Sequence, residues 1–171
     1  MNAGQLMPVL SLDELERVAG SPSGSKIQVF VSFDIERDEE LYELLLTQTR
    51  TSSFGFAVLG SSERMTATDD WSERARLQIR AADQVIVICG EHTEASPSVH
   101  AELRIAQEER TPYFLLWGRP GVMCTKPIGA KTDDVMYSWT GQILQNQMAF
   151  TARQADANAT AETMRHAARK G

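Results

Sequence analysis

One glutamate sits where a helix should bury an apolar side chain. Ser96 and Pro97 supply an N-cap and a first helical position, which fixes the start of a helix running to about Arg110. Its buried stripe reads Val99, Leu103 and Ala106, and Glu102, three residues after Val99 and four before Ala106, falls on that stripe. Glu102 lies too deep in the helix to serve as a capping-box partner. A carboxylate on the inward side of a helix is costly unless it is paired or put to use. Two uses are open. It can pair with Arg104 or Arg74 or favour the helix dipole, or it can face a ligand at the carboxyl end of the preceding strand.

Other candidate chemistries fail on spacing. Gly20 to Lys26 lacks the Gly-Lys dipeptide of a phosphate loop and precedes a strand where the motif must follow one. No Gly-x-Gly-x-x-Gly follows any strand. His92-Thr93-Glu94 matches the His-x-Glu of zinc deaminases, but no Pro-Cys-x-x-Cys follows. With Cys89 and Cys124 the only cysteines, neither a disulfide framework nor a multi-cysteine zinc site is encoded, and no metal is expected. Cys89 reads as a small buried hydrophobe, Trp71 as core, and His92 and His100 as exposed. A receiver-type phosphoacceptor is missing, because Cys89-Gly90 occupies the end of the third strand. Phe33-Asp34-Ile35-Glu36 is too acidic for a flavin phosphate loop.

The elements that must position Glu102 alternate regularly. Ile27, Val29, Val31 and Phe33 mark a buried strand beginning after Lys26, and Leu41, Leu44 and Leu45 mark the apolar face of a helix. Phe56 to Leu59 forms a second strand ended by Gly60; Trp71, Ala75, Ile79 and Ala82 mark a second helix. Gln84 to Cys89 is the third strand, Pro112 to Trp117 the fourth, and Val135 to Tyr137 a weaker fifth before a helix from about Gly141. Short, β-branched, continuously apolar strands alternating with helices predict a parallel sheet covered on both faces. The expected architecture is a flavodoxin-like three-layer sandwich of four or five strands, with ligands beyond the carboxyl ends of the strands.

Three segments follow. Residues 1–25 are read as a short helix opening at the capping box Ser11 to Glu14, followed by a flexible Gly/Ser linker, and are expected to be dispensable for folding. Residues 26–150 form the α/β domain, and 151–171 an alanine-rich helical or frayed tail. A chain of 171 residues buries roughly 70% of its unfolded surface and needs no covalent staple. The net charge of −6 gives no global field for nucleic acid or anionic lipid. The longest apolar runs are too short to span a bilayer, and residues 1–10 lack the pattern of a signal peptide, so a cytoplasmic domain is expected.

Val29-Phe30-Val31-Ser32-Phe33-Asp34, Trp71 ahead of Ile79, Asp83 and Val85 to Ile88, then Ser96-Pro97-Ser98-Val99-His100-Ala101-Glu102-Leu103, together resemble the TIR-like family, in particular bacterial TIR-like proteins of the Thoeris anti-phage type. The resemblance runs from about Lys26 to Gly118. It implies a flavodoxin-like fold and cleavage of the nicotinamide–ribose bond of NAD, sometimes with cyclisation of the product into a signal. NAD is then substrate rather than cofactor, and self-association is expected. Glu102 matches the family's catalytic glutamate. The resemblance assigns nucleotide binding to Phe33 and Asp34, gating to Ser61 and Ser62, and places Ser98 at the substrate. The sequence departs from the commoner pattern in carrying Val99 and His100 where an aromatic is often found, and in the acidic Asp34-Ile35-Glu36. A carboxylate suits this chemistry, because the cationic nicotinamide departs neutral and leaves an oxocarbenium-like centre to be stabilised. The rival expectations are a non-catalytic TIR-like interaction module and an enzyme resembling nucleoside deoxyribosyltransferases.

Overall fold

The computed structural model describes residues 26–51, 54–67 and 70–169; the expected N-terminal helix and linker lie outside them. The described elements are β1 (Ile27–Ser32), α1 (Glu39–Thr51), β2 (Phe56–Ser61), α2 (Trp71–Ala81), β3 (Gln84–Cys89), a 3₁₀ turn (Thr93–Ala95), α3 (Pro97–Glu108), β4 (Tyr113–Trp117), β5 (Met136–Ser138) and α4 (Gly141–Ala168). All strands pair in parallel, in the order β2-β1-β3-β4-β5.

The period of two along each strand divides the core into two layers. Phe30, Val85, Val87, Cys89 and Leu115 face α2 and α3, packing with Trp71, Ile79, Val99 and Ala106. Val29, Val31, Phe33, Ile86, Ile88 and Leu116 face the other way, packing with Leu41, Leu45, Leu144 and Met148. The fold is therefore the three-layer, flavodoxin-like α/β sandwich. Its strand order reverses between β1 and β3, and the crevice at such a switch point is where these sheets take ligands.

Several boundaries differ from expectation by a residue or two, and one matters for the site. Gly60 does not end β2. Val29 pairs with Val58 but Phe30 pairs with Gly60, so Leu59 is an extra residue in the edge strand. Glycine suits such a bulge, since it has no side chain to place. The strand then continues to Ser61, with Val31 opposite Ser61. Had the first register persisted, Ser61 would have come beside Ser32; the bulge delivers Ser62 there instead. The other differences are smaller: β4 starts at Tyr113, α3 ends at Glu108, and β5 spans Met136–Ser138, one residue beyond the expected start and end. α4 continues unbroken through residue 150, and after Thr151 its residues are largely exposed.

The ends of β3 and β4 come close behind the switch point. The Gly118 amide donates to the carbonyl of Cys89 at 2.9 Å. A Cβ added to Gly118 would lie 2.7 Å from Leu41 Cδ1 and 2.8 Å from that backbone carbonyl. Gly118→Ala is expected to lose about 1–3 kcal/mol through overpacking. Thermal melts should show a fall of roughly 2–4 °C per kcal/mol; an unchanged melting temperature would mean that the strand ends relax freely.

Candidate functional site

Glu102 is completely buried, in the second turn of α3. Its oxygen Oε2 accepts two hydroxyl hydrogen bonds, from Ser32 at 2.5 Å and from Ser62 at 2.7 Å. Its other oxygen, Oε1, has no partner. Around the carboxyl group lies a narrow space lined by Phe30, Ser61, Glu63, Trp71, Ala75 and Gln78, too tight to hold a water molecule. Burial pushes the Glu102 carboxyl up to about 8, against the lowering effect of the two serine bonds. The ion pair that the sequence left open does not form: Arg74 holds Glu63 at 3.1 Å, and Arg104 faces Glu108 at 3.9 Å.

Each support follows from local structure. Ser32 ends β1, one strand position along the same face as Phe30, and its side chain is fully buried. Ser62 follows β2 and is tied at three points. Its amide donates to the carbonyl of Val31 at 3.0 Å, its Oγ accepts the Phe33 amide at 2.9 Å, and its hydroxyl proton goes to Glu102. Pro97 at the first turn of α3 starts the helix that carries Glu102, although the Ser96 hydroxyl makes no capping bond.

Outside the carboxylate lies an open groove of about 330 Å³, walled by Asp34 to Arg37, by Arg64 to Thr66, and by Ser96, Pro97 and Ser98. The three segments that hold Glu102 all continue into its walls. Ser32 leads to Asp34, Ser62 leads to Arg64, and Ser98 stands one helical turn before Glu102. The groove thus lies at the carboxyl ends of β1 and β2, walled by the continuations of the segments that hold the carboxylate.

Residues 30–118 match the family model described as Thoeris protein ThsB, TIR-like domain, which is more than half of the 171-residue chain. The chain belongs to the Thoeris TIR-like family. No curated protein matches it at a significant level. The matched span takes in β1 to β4 from Phe30, and so contains Ser32, Ser62 and Glu102.

Within this TIR-like domain the expected site residues fare differently. Glu102 and Ser62 come together as described, and Ser98 lines the groove, its hydroxyl 3.4 Å from that of Ser96. Ser61 lies beside the narrow space at Glu102 but does not bond to it. Asp34 lines the groove, yet its carboxylate is buried and committed to its own turn, accepting the Glu36 amide at 3.0 Å and Arg37 at 2.9 Å. Phe33 is not at the groove. Its ring stacks on Tyr42 at 4.7 Å, on the opposite side of the sheet from Glu102, because odd and even positions of β1 face opposite layers. What Phe33 contributes is its backbone amide, given to Ser62. His100 is half-buried rather than exposed, with Nε2 enclosed and unpartnered.

Three residues were missed. Ser32 bonds to Glu102, and its signal was a polar residue between Val31 and Phe33 at the end of a buried strand, on the Phe30 face. Arg37 and Arg64 bring positive charge to the groove, each held by an acid, Asp34 and Glu36 respectively. Their pairing offsets the acidity of the loop after β1. Farther along the strand ends, Asp38 is buried against Gly90 and bonds to Arg119 at 3.0 Å; burial raises its carboxyl while Arg119 opposes the rise. Cys89 is buried and its thiol is pushed up to about 12 by burial, which leaves it inert as a nucleophile at neutral pH. Among the described residues, no group of three or more His, Cys, Asp or Glu is placed to hold a metal ion, and no helix is long and apolar enough to cross a membrane.

Proposed function

We propose that this TIR-like domain cleaves the bond between nicotinamide and ribose in NAD, releasing nicotinamide and leaving ADP-ribose in linear or cyclic form. The observation that carries this reading is the fully buried Glu102 carboxyl, free of any ion pair at the carboxyl end of the sheet and held by two serine hydroxyls whose segments run on into the walls of a groove. As the C–N bond breaks, its electron pair goes to the ring nitrogen and nicotinamide leaves neutral. Positive charge then develops on C1′ and the ring oxygen of the ribose, where an ionised Glu102 stabilises it. Water attacks C1′ and gives up a proton, or a nucleophile of the same ADP-ribose closes the ring. Arg37 and Arg64 line the groove and would supply counter-charge to the phosphates of a nucleotide bound there, in exchange for Asp34 and Glu36. Self-association, expected of the family, would belong to the active form.

One observation favours a second reading. Glu102 is sealed from solvent and raised toward neutrality, a state in which it cannot act on a sugar. A TIR-like module that only assembles with partners would show the same. Incubating the purified protein with NAD and, separately, with a deoxynucleoside and a free base separates the alternatives. Free nicotinamide is the expected result. Base exchange would point to a deoxyribosyltransferase-like enzyme, and neither product, with the protein concentrated and self-associated, would leave the interaction module standing.

A further inference from the structure

Two identical hydroxyl groups donate to one oxygen of Glu102, but their settings are unequal. Ser32 belongs to β1, which is hydrogen-bonded to β2 on one side and β3 on the other. It cannot leave without dismantling the centre of the sheet. Ser62 is the first residue beyond an edge strand, and Arg64, Met65 and Thr66 just after it are exposed. Between them the two serines hold Oε2 while Oε1 stays unpartnered in a space that admits no water. In this arrangement neither a substrate nor solvent can reach the carboxylate.

We propose that the two serines have different jobs: Ser32 is the permanent positioning residue of Glu102, holding Oε2 so that Oε1 is left for the sugar, whereas Ser62 is a removable latch whose bond to Oε2 is broken in the working state. This rests on the reading of Glu102 as the group that acts on ribose. The physical asymmetry lies in what each hydroxyl satisfies. Ser62 Oγ also accepts the buried Phe33 amide, so removing that hydroxyl strips the closed state of two hydrogen bonds and orphans a backbone N–H. Opening the segment lets water satisfy both groups. Removing the Ser32 hydroxyl costs Glu102 one donor, and no opening of β1 can compensate. Nothing charged competes at close range: Phe30 of β1 and Trp71, Ala75 and Gln78 of α2 face the carboxyl uncharged, and Glu63, itself held by Arg74, contributes a like charge.

The same deletion of one hydroxyl should therefore move Glu102 in opposite directions. The measurement is a pH titration of glutamate side chains labelled with ¹³C at the carboxyl carbon, in the full-length protein, with Glu102→Gln identifying the resonance. Ser62→Ala should lower the Glu102 midpoint toward the ordinary carboxylate range as water enters. Ser32→Ala should raise it further, by about one pH unit for the loss of one hydrogen bond. Ser32→Cys, similar in size and a weaker donor, should fall between Ser32→Ala and wild type, which guards against a simple packing defect. Midpoints that move the same way, or do not move, would overturn the division of labour. Nicotinamide release per folded molecule should fall in Ser32→Ala and rise in Ser62→Ala; equal losses in both would also overturn it. If wild type releases no nicotinamide, NAD cleavage is wrong, and the opposed titrations still decide whether Ser62 is the latch.

Discussion

Glu102→Gln is expected to reduce nicotinamide release from NAD by about 10²–10³-fold while the protein remains folded. Glutamine preserves the length and planarity of the side chain and can still accept the Ser32 and Ser62 hydroxyls through its carbonyl oxygen. What it lacks is the negative charge that an oxocarbenium-like transition state draws on. Because the side chain makes no ion pair, its replacement does not strand a partner charge, which separates loss of chemistry from loss of fold. The measurement is nicotinamide release at matched folded concentration, wild type beside mutant. Full activity per folded molecule in Glu102→Gln would remove Glu102 from the reaction. Activity that falls only in proportion to unfolded protein would assign it a structural role.

The fold was largely legible because each strand and helix carries its own periodicity. Val85 to Ile88 are wholly buried, as a continuous apolar run in a parallel sheet requires, and Trp71, Ala75 and Ile79 are buried at helical spacing. Glu102 was legible for the same reason: the apolar stripe of α3 is strong enough that a carboxylate on it stands out. Its partners were harder to read, because they depend on register between strands far apart in sequence. The Leu59 bulge decides that Ser62, and not Ser61, sits beside Ser32, and no local pattern announces a bulge except a glycine that equally well signals a strand end. Phe33 misled through parity. It continues the alternation of β1 and so belongs to the α1 layer, while the loop that it opens reaches the groove. The charge balance of that loop was also hidden, since Arg64 comes from another segment to meet Glu36.

The second large effect is on stability, and it depends on pH. The Glu102 carboxyl titrates at about 8 in the folded protein against an ordinary 4.5. Below pH 4.5 it is protonated in both folded and unfolded chains, so the contribution that favours folding is fully present. Between 4.5 and 8 the unfolded chain ionises and the folded one does not, and stability falls by about 1.4 kcal/mol for each pH unit. Above 8 both forms are ionised and the loss is complete. Glutamine does not titrate, so the difference in melting temperature between Glu102→Gln and wild type should grow as pH rises from 5 to 8. Over that window the accumulated difference is about 4 kcal/mol, or roughly 10 °C for a domain of this size. Comparing mutant with wild type at each pH cancels the other titrating groups, including Asp38, whose carboxyl is also raised by burial, and Glu109, lowered to about 2 by Arg80 and Arg76. Parallel melting curves across the range would show that Glu102 ionises as easily folded as unfolded, and would dispose of the closed carboxyl. A slope that begins as expected and flattens well below pH 8 has a different meaning. Once opening the Ser62 segment costs less than keeping the proton, the folded chain opens and ionises, and the pH of the plateau measures the strength of the latch in the wild-type protein.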